Sequence, residues 1–314
     1  MNTVDYYIGY SSDRIIRHKA SSGGIGSQLI KYLLSTEEYG TSMTFVFNSI
    51  KSAYEPKLIY SYDEYNNCGS IYQDTDNISF IRENLNNIRD GIVVTCMPCQ
   101  VRAIRSILQR NKIKSFIISF CCSGQTTVKG TWLYYKFLGI KRENVSNIQY
   151  RGNGWPSGIQ IHLSNGSIIK KDNYTYPWNI IHSSQLYRPL RCLTCTFKTV
   201  PFSDINLADP WLAEYELDKE GNSIIIANTE ESKRVVNYLV DQKIIICKEV
   251  DQTTYVRSQK GTIEEKLRVK EHPYFTKMLK LMSTSNFYLG IVSSNPSMLI
   301  MHNRIIRIIK KHLL

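Results

Sequence analysis

Two cysteines and two aspartates in the second half of the chain occur at a spacing that suits metal or redox chemistry. Cys192 and Cys195 form a C-x-x-C pair, and Asp204, Asp209 and Trp211 follow at a short distance. Thiolates bind soft metal ions and iron–sulfur clusters. Nothing in the sequence makes the aspartates an acid–base pair, and aspartates in such a loop more often cap its backbone. We therefore take the thiols as the reactive groups.

Four more cysteines lie where strands are predicted to end. Cys96 and Cys99 follow one short β-branched strand, and Cys121 and Cys122 end the next. In a strand–helix–strand unit both strand ends emerge at one edge of the sheet, where open α/β sheets build their sites. We therefore expect Cys99 to lie near Cys121. With the C-x-x-C pair they supply four thiolates, the number that a four-iron cluster or a structural zinc ion requires.

Three other interpretations of these cysteines stay open. The two C-x-x-C pairs suit zinc, although they are much farther apart than in a zinc ribbon. Cys96 and Cys99 at a helix start suit thiol–disulfide exchange, because a helix N-terminus lowers a thiol pKa. Buried cysteines also serve simply as small apolar residues, which is how we interpret Cys247 in the run KIIIC.

A glycine-rich turn near the N-terminus is a second candidate site. Ser21, Ser22, Gly23 and Gly24 precede a helix with periodic apolar residues. Hydroxyls and free backbone N–H groups at a helix N-terminus bind phosphate well. The turn matches neither a Walker loop nor a dinucleotide fingerprint, and a capped helix with a flexible lead-in is the alternative.

The composition is that of a basic globular protein. The chain has 314 residues, is 42% apolar and carries a formal net charge of +12, with its basic residues spread out. No nucleic-acid-binding motif occurs, so the charge favours anionic ligands, an acidic partner or a membrane surface over nucleic acid. The sequence shows no secretory signal and no apolar run of transmembrane length, which predicts a cytoplasmic protein.

Strand-like and helix-like segments alternate from Ile25 to Leu138, which predicts an α/β fold with a mixed sheet core and covering helices. Residues 147–172 have the turn signals of a β-meander insertion, and residues 223–250 return to strand–helix–strand. We expect one packed unit with three parts: a flavin-binding part at 1–90, a part with the cluster cysteines at 91–250 and a basic helical tail at 251–314. The assignments of cofactors to these parts depend on the resemblance described below.

The tail ends in an amphipathic segment. Met298, Met301, Ile305 and Ile308 share one helical face, and basic residues occupy another. Such a helix either lies on a membrane surface or docks its apolar face on the protein. Docking is the commoner outcome and is the one we predict, with a peripheral membrane contact as the alternative.

Six segments, in order and with similar gaps, resemble the beta subunits of coenzyme F420-reducing hydrogenases and dehydrogenases. The resemblance covers about Arg17 to Val250. Its motifs are R-x-x-S-S-G-G, G-S-K-Y-x-Q, G-T-P-C-Q, F-C-x-G, R-x-x-G-W and C-x-x-C with D-I-x-x-G-D-x-W. They correspond to Arg17–Gly24; Gly69, Ser70, Ile71, Tyr72 and Gln73; Met97, Pro98, Cys99 and Gln100; Phe120, Cys121 and a displaced Gly124; Arg151, Gly154 and Trp155; and Cys192, Cys195, Asp204, Ile205, Asp209 and Trp211.

This resemblance implies an α/β flavoprotein that holds FAD against a 4Fe-4S cluster and exchanges a hydride with a small-molecule substrate. In some relatives the partner is the deazaflavin F420 and in others a chlorophyll precursor, while further relatives are associated with polysaccharide biosynthesis. The implied cluster ligands are Cys99, Cys121, Cys192 and Cys195. The implied flavin contacts are Ser21, Ser22, Gly23, Gly24, Ser70, Tyr72 and Gln73, with Asp204 and Asp209 holding the ligand loop or contacting the flavin ribose.

The chain departs from the family pattern at several positions. Cys96 and Met97 replace the glycine and threonine of G-T-P-C, Cys122 is extra, and Ala208 and Leu212 replace glycines. A side chain where glycine allowed close approach crowds a flavin, so a changed substrate or a lost flavin is expected, and Cys96 is an alternative fourth ligand. No ferredoxin-like run of cysteines precedes Cys68. The resemblance therefore implies an external ferredoxin or another electron-transfer subunit as partner, and a basic surface suits an acidic one.

Overall fold

The computed structural model describes residues 4–172, 174–197 and 202–312, and these contain one large and one small sheet. Eight strands form the large sheet in the order β11-β1-β10-β9-β5-β4-β2-β3, and three form the small sheet in the order β6-β7-β8. The strands are β1 Asp5–Ser11, β2 Thr41–Asn48, β3 Ala53–Ile59, β4 Ile92–Thr95, β5 Ser115–Phe120, β6 Val145–Gln149, β7 Gly158–Leu163, β8 Ile168–Asp172, β9 Ile205–Ala208, β10 Ser223–Ala227 and β11 Ile245–Val250.

Helices cover both faces of the large sheet and form the C-terminal part of the chain. They are α1 Arg14–Lys19, α2 Ile25–Leu34, α3 Asn77–Glu83, α4 Val101–Arg110, α5 Val128–Phe137, α6 Trp178–Ser184, α7 Leu190–Leu193, α8 Glu230–Asp241, α9 Gln252–Ser258, α10 Lys260–Glu271, α11 Pro273–Thr284, α12 Asn286–Val292 and α13 Pro296–His312. None of the described helices is long and apolar enough to span a bilayer.

The large sheet is mixed, as the alternating pattern predicts. Its centre is parallel, since β2 pairs with β4, β4 with β5 and β5 with β9 in the same direction. The outer strands are antiparallel, and β1 lies between β10 and β11. The N-terminal strand is therefore held by two strands that come more than 200 residues later in the chain, so β1 and β11 lie in the same sheet.

Apolar side chains fill both sides of this sheet. On one face, α2 and α8 pack Leu29 and Val236 against Phe116 and Ile225. On the other face, α4 packs Ile104 against the strands. The spacing of these apolar residues on each helix gives one buried stripe, which is what fixes the helices to the sheet. The prediction of a sheet core with covering helices is confirmed.

The predicted β-meander insertion is also confirmed. It forms the small sheet β6-β7-β8, which packs with α5, α6 and the C-terminal helices around Tyr134, Ile161, Trp178 and Leu299. This second core lies beside the large sheet and supplies one side of the site described below.

The prediction for the face by which the last helix docks is wrong. Helix α13 packs on the protein through Leu299, His302 and Ile306, which are at most 3% exposed. Met301 and Ile305, which we expected to dock, are 52% and 46% exposed. His302 accounts for the difference, because its ring lies within hydrogen-bond distance of the Tyr288 hydroxyl and the Ser184 carbonyl and so turns this polar position inward.

Candidate functional site

A cavity of about 340 Å³ opens at the carboxyl edge of the parallel strands. The residues that follow β4, β5 and β9, among them Cys96, Cys121 and Asp209, line it together with the start of α2. This is the edge at which ligands bind in open α/β sheets. The volume lies within the range of small-molecule pockets.

The serine–glycine turn forms one wall of the cavity. Ser21, Ser22 and Gly24 line it, whereas Gly23 lies behind them. A Cβ on Gly23 would stand 2.6 Å from the Gly9 carbonyl oxygen, so glycine is required for the turn to lie against β1. Gly24 has a φ of +79° and immediately precedes α2. The N-terminal turn of α2 therefore lies at the cavity. The backbone N–H groups of this helix N-terminus thus lie where the sequence predicts a phosphate-binding site.

The segment Gly69–Gln73 forms the opposite wall. Ser70, Tyr72 and Gln73 line the cavity. Gln73 is fully buried, accepts from the Tyr54 N–H at 2.8 Å and donates to the Tyr150 hydroxyl at 3.0 Å. Its amide therefore fixes the wall, and Ser70, Ile71 and Tyr72 are the side chains of this segment left to meet a ligand.

Arg151 joins the two walls. Its guanidinium donates to Asp209 at 2.8 Å and to the Ser21 carbonyl at 2.5 Å, and its Nε has no hydrogen-bond partner within the described residues. The side chain is 8% exposed. Burial opposes its charge, but Asp209 and the Tyr72 hydroxyl raise the pKa of Arg151 above the ordinary value. A buried cation with one unused donor thus lines the cavity.

The two aspartates of the motif occupy different environments. Asp209 lines the cavity and pairs with Arg151. Asp204 lies outside the lining, where it accepts from the Arg105 guanidinium and from the Ile117 N–H, both at 2.7 Å. It therefore joins β5, β9 and α4 as a structural anchor, while Asp209 belongs to the cavity wall.

Four thiols gather next to the cavity. Burial and, to a smaller extent, the charges of Cys192 and Cys195 raise the pKa of Cys99 and raise that of Cys122 to about 11. We call Cys99, Cys122, Cys192 and Cys195 the thiol quartet. Helix α7 carries Cys192, and Leu193 beside it packs on Phe275, Leu279 and Ile306 of the C-terminal helices, which fixes the C-x-x-C segment.

Cys121 and Cys96 each neighbour one member of the quartet, Cys122 and Cys99 respectively, but pack mainly among other residues. Cys121 packs among Ile8, Ala208 and Tyr255, and the Tyr255 hydroxyl hydrogen-bonds its thiol. Cys96 packs with the apolar residues under α4 and is 2% exposed. At the next residue, Cys122, the nearby Gly124 N–H lowers the pKa of the thiol. The pattern C-x-G is thus complete at Cys122, Ser123 and Gly124.

Cations lie next to the thiol quartet. Lys266 of α10 is 3% exposed, forms no ion pair or hydrogen bond within the described residues, and lowers the pKa of Cys122. Arg188 donates to the Ser123 carbonyl at 3.1 Å, and its buried Nε has no partner in the described part of the chain. Burial lowers the pKa of Arg188, partly offset by Glu265, Cys192 and Cys122. Because buried charges need a counter-charge, this arrangement suits an anionic group between the thiols.

No three His, Cys, Asp or Glu side chains stand in coordinating positions within residues 4–172, 174–197 and 202–312. The quartet is therefore a group of neighbours that an ion would have to draw together. Its donor set, four thiols with adjacent cations, fits a four-iron cluster or zinc. The residues present fit such a group chemically.

Sequence reasoning missed several residues of the cavity. Cys68 lines it, and so do Tyr174, Gln125 and, from the C-terminal helices, Gln259 and Thr262. Gln259 donates to the Asp209 carbonyl at 2.6 Å. These residues carry no motif, and only the tertiary fold brings the tail to the sheet edge.

Residues 90–253 match the family model that describes the C terminus of the coenzyme F420 hydrogenase/dehydrogenase beta subunit. No curated protein matches the chain. Among solved structures, a chain of the xenon-derivatised F420-reducing [NiFe] hydrogenase complex from Methanosarcina barkeri is similar, with a TM-score of 0.62 and 16% identity. The similarity covers 85% of this chain and 91% of that chain and shows that the two share a fold.

Proposed function

Since the chain belongs to the coenzyme F420 hydrogenase/dehydrogenase beta-subunit family, we propose that it is an iron–sulfur flavoprotein oxidoreductase. In this proposal it passes electrons between a 4Fe-4S cluster and FAD and exchanges a hydride with a small-molecule substrate. One observation carries the proposal: the segments assigned to flavin and those assigned to the cluster come together at one sheet edge, around one cavity and the adjacent quartet.

The flavin would occupy the cavity. Ser21, Ser22 and the N-terminal turn of α2 would receive its phosphates, since backbone N–H groups and the helix dipole favour anions. Arg151 supports this assignment, because its buried guanidinium donates to the Ser21 carbonyl and lines the same cavity as Ser70 and Tyr72. Gly23 would contribute by allowing the turn to lie against the sheet rather than by direct contact.

The cluster would be held by Cys99, Cys192, Cys195 and one thiol of the Cys121–Cys122 pair. We choose Cys122, because the charges of Cys192 and Cys195 raise the pKa of its thiol, whereas the thiol of Cys121 is already hydrogen-bonded by the Tyr255 hydroxyl. Backbone N–H bonds to sulfur and nearby cations raise a cluster's reduction potential. Lys266 and Arg188 would neutralise the charge of the loaded site.

When bound, the flavin supplies hydride chemistry and the cluster supplies one-electron transfer. The protein's own part is to hold both groups at one edge and to keep solvent away. Arg151 holds the Ser21 turn against Asp209, and Gln73 fixes the facing wall. Cys122 lines the cavity and belongs to the quartet, so it links the two sites.

An electron-transfer partner and a substrate complete the proposal. A ferredoxin or another electron-transfer subunit would exchange electrons with the cluster, and the net charge of +12 suits an acidic one. The substrate would be a deazaflavin such as F420 or an intermediate of polysaccharide biosynthesis. A panel of F420 and other hydride acceptors, assayed with the reduced protein, distinguishes these classes.

Thiol–disulfide exchange at Cys96 and Cys99 has less support. Burial raises the pKa of both thiols, and Cys96 is 2% exposed. An exchanging thiol instead needs a lowered pKa and access to its partner. A zinc-stabilised binding protein stays the main rival, because zinc accepts the same four thiolates.

Anaerobic purification tests the proposal, with iron, sulfide, zinc and flavin assayed in the wild type, in Cys192→Ala and in Cys247→Ala. We expect about four iron atoms per chain and bound FAD in the wild type and in Cys247→Ala, a control cysteine in β11. Cys192→Ala should lose the iron. Zinc without flavin in the wild type would favour the zinc-stabilised binding protein instead. Metal retained in Cys192→Ala would exclude the C-x-x-C pair as metal ligands.

A further inference from the structure

The C-terminal helices α11–α13 have an unusual surface composition. Residues 273–314 contain no Asp or Glu and six Lys or Arg. The same 42 residues carry seven of the 21 large apolar side chains that are exposed in the described chain, namely Tyr274, Leu281, Phe287, Ile291, Met301, Ile305 and Ile308. A purely basic surface with this many exposed apolar groups is atypical of a solvated helix layer.

Helix α13 concentrates both features on its outer side. Its inner residues Leu299 and Ile306 are at most 3% exposed, so the helix is already anchored. Met301, Ile305 and Ile308 follow one another at helical spacing on the outer side, and Ile308 is 57% exposed. Docking on the protein therefore leaves a second apolar stripe free. We call Met301, Ile305 and Ile308 the outer stripe.

Exposed cations flank the outer stripe. Arg304, Arg307 and Lys311 are exposed and form no ion pair within the described residues. Lys310, by contrast, turns inward and pairs with Glu265 at 3.1 Å. An apolar stripe with cations beside it is the pattern of helices that lie in the interface of an anionic bilayer, where long basic side chains reach the headgroups.

We propose that the outer stripe and its flanking arginines and lysine bind the surface of a membrane that contains anionic lipid. Charge favours a membrane over a protein partner, because a 42-residue segment without one acidic side chain matches a uniformly negative plane. The contact is peripheral, since no described helix could span a bilayer. This inference does not depend on the proposed redox function.

Vesicle flotation with the full chain tests it. We expect binding to vesicles of phosphatidylcholine with about one third phosphatidylglycerol and weak binding to pure phosphatidylcholine. Each Lys or Arg near an anionic surface strengthens binding about fivefold. The double variant Arg304→Gln/Arg307→Gln should therefore bind about 25-fold more weakly, and Ile305→Ser/Ile308→Ser at least about tenfold more weakly.

Matched variants elsewhere on the surface serve as controls. Arg110→Gln/Lys112→Gln removes two exposed cations, and Ile50→Ser removes an isoleucine that is 92% exposed. Both should bind like the wild type, and circular dichroism should show all variants folded. Absence of binding by the wild type, equal binding to neutral vesicles, or equal losses in the controls would overturn the proposal. Self-association abolished by Ile305→Ser/Ile308→Ser, without vesicle binding, would overturn it in favour of a protein contact.

Discussion

Two regions meet at the carboxyl edge of the large sheet, the cavity wall around Arg151 and the thiol quartet. In the wall, Arg151 pairs with Asp209 and Gln73 with Tyr54 and Tyr150, so polar groups are held by the protein itself. In the quartet, Lys266 has no partner and the thiols are held apart from coordinating positions within the described residues.

This difference predicts how each region would respond to its proposed cofactor. A wall in which most polar groups bond to one another is preorganised and keeps its shape before a ligand arrives. A group of buried thiols and cations would gain its missing interactions only on binding the proposed metal group, so metal binding and local order would be coupled. The following experiments test this contrast, beginning with the largest expected effect.

Removing Arg151 should have the largest effect on the wall. Arg151→Met leaves Asp209 without its partner in a largely buried position, which lowers the free energy of unfolding by about 3–5 kcal/mol. It also removes the tie to the Ser21 turn, so FAD should no longer copurify. Urea denaturation and flavin absorbance measure the two effects.

Arg257→Met is the matched control, because it breaks the exposed pair with Glu214 and should change stability by less than about 1 kcal/mol. Normal flavin content in Arg151→Met would show that the wall does not depend on this ion pair.

Replacing Asp204 should change stability without changing the cavity. Asp204→Asn keeps the shape but weakens the bonds from Arg105 and Ile117, which lowers the free energy of unfolding by about 2–3 kcal/mol. Because Asp204 does not line the cavity, FAD binding should be unchanged at temperatures where the variant is folded. Loss of flavin in a variant of normal stability would place Asp204 in the site.

Lys266 should affect the quartet rather than the wall. Lys266→Met removes a buried positive charge next to Cys122, which disfavours the more negative reduced cluster. Iron should be retained while the reduction potential falls by about 60 mV, a tenfold change for a one-electron couple. Lys270→Met, an exposed position on the same helix, should leave the potential unchanged. Equal potentials in both variants would exclude an electrostatic role for Lys266.

The smallest effect is expected for the ion pair between Glu265 of α10 and Lys310 of α13. Burial would raise the pKa of Glu265, but Lys310, Gln185 and Arg268 lower it below its ordinary value. Because the pKa of Glu265 is lower in the folded protein than in the unfolded chain, its ionised form stabilises the fold. This stabilisation is present above about pH 4.3 and is lost as the pH falls through the folded pKa.

Glu265→Gln should therefore cost about 1 kcal/mol at pH 7 and progressively less below about pH 4, as followed by urea denaturation. Glu264→Gln is the control, since its pair with Lys260 is long and exposed. A difference between wild type and Glu265→Gln that does not shrink in acid would contradict the role of this charge.

Local sequence patterns were sufficient to predict the central helices and strands. Periodic apolar residues indicated α2 and the turn residues indicated the β6-β7-β8 meander, because these signals depend only on neighbouring residues. Helix α4 begins at Val101, and Pro98 and Cys99 lie in the turn before it, so the thiol is placed before the helix starts.

Features that depend on distant contacts were not predictable in this way. The antiparallel strand β1 is held by β10 and β11, more than 200 residues away in sequence. The inward face of α13 depends on the partners of His302, and the inclusion of Gln259 in the cavity depends on how α9 packs. Cys121 and Cys122 follow the end of β5 and have different neighbours. Because the two cysteines are adjacent in sequence, their spacing could not predict which of them lies nearer the C-x-x-C pair.

The most direct test is iron analysis and electron paramagnetic resonance of dithionite-reduced wild type, Cys121→Ser and Cys122→Ser, each loaded anaerobically with iron and sulfide. We predict about four iron atoms per chain and the same cluster signal in the wild type and Cys121→Ser, and loss of both in Cys122→Ser. A wild type that binds no iron, or one in which Cys121→Ser loses the cluster and Cys122→Ser keeps it, would contradict the assignment of the thiol quartet.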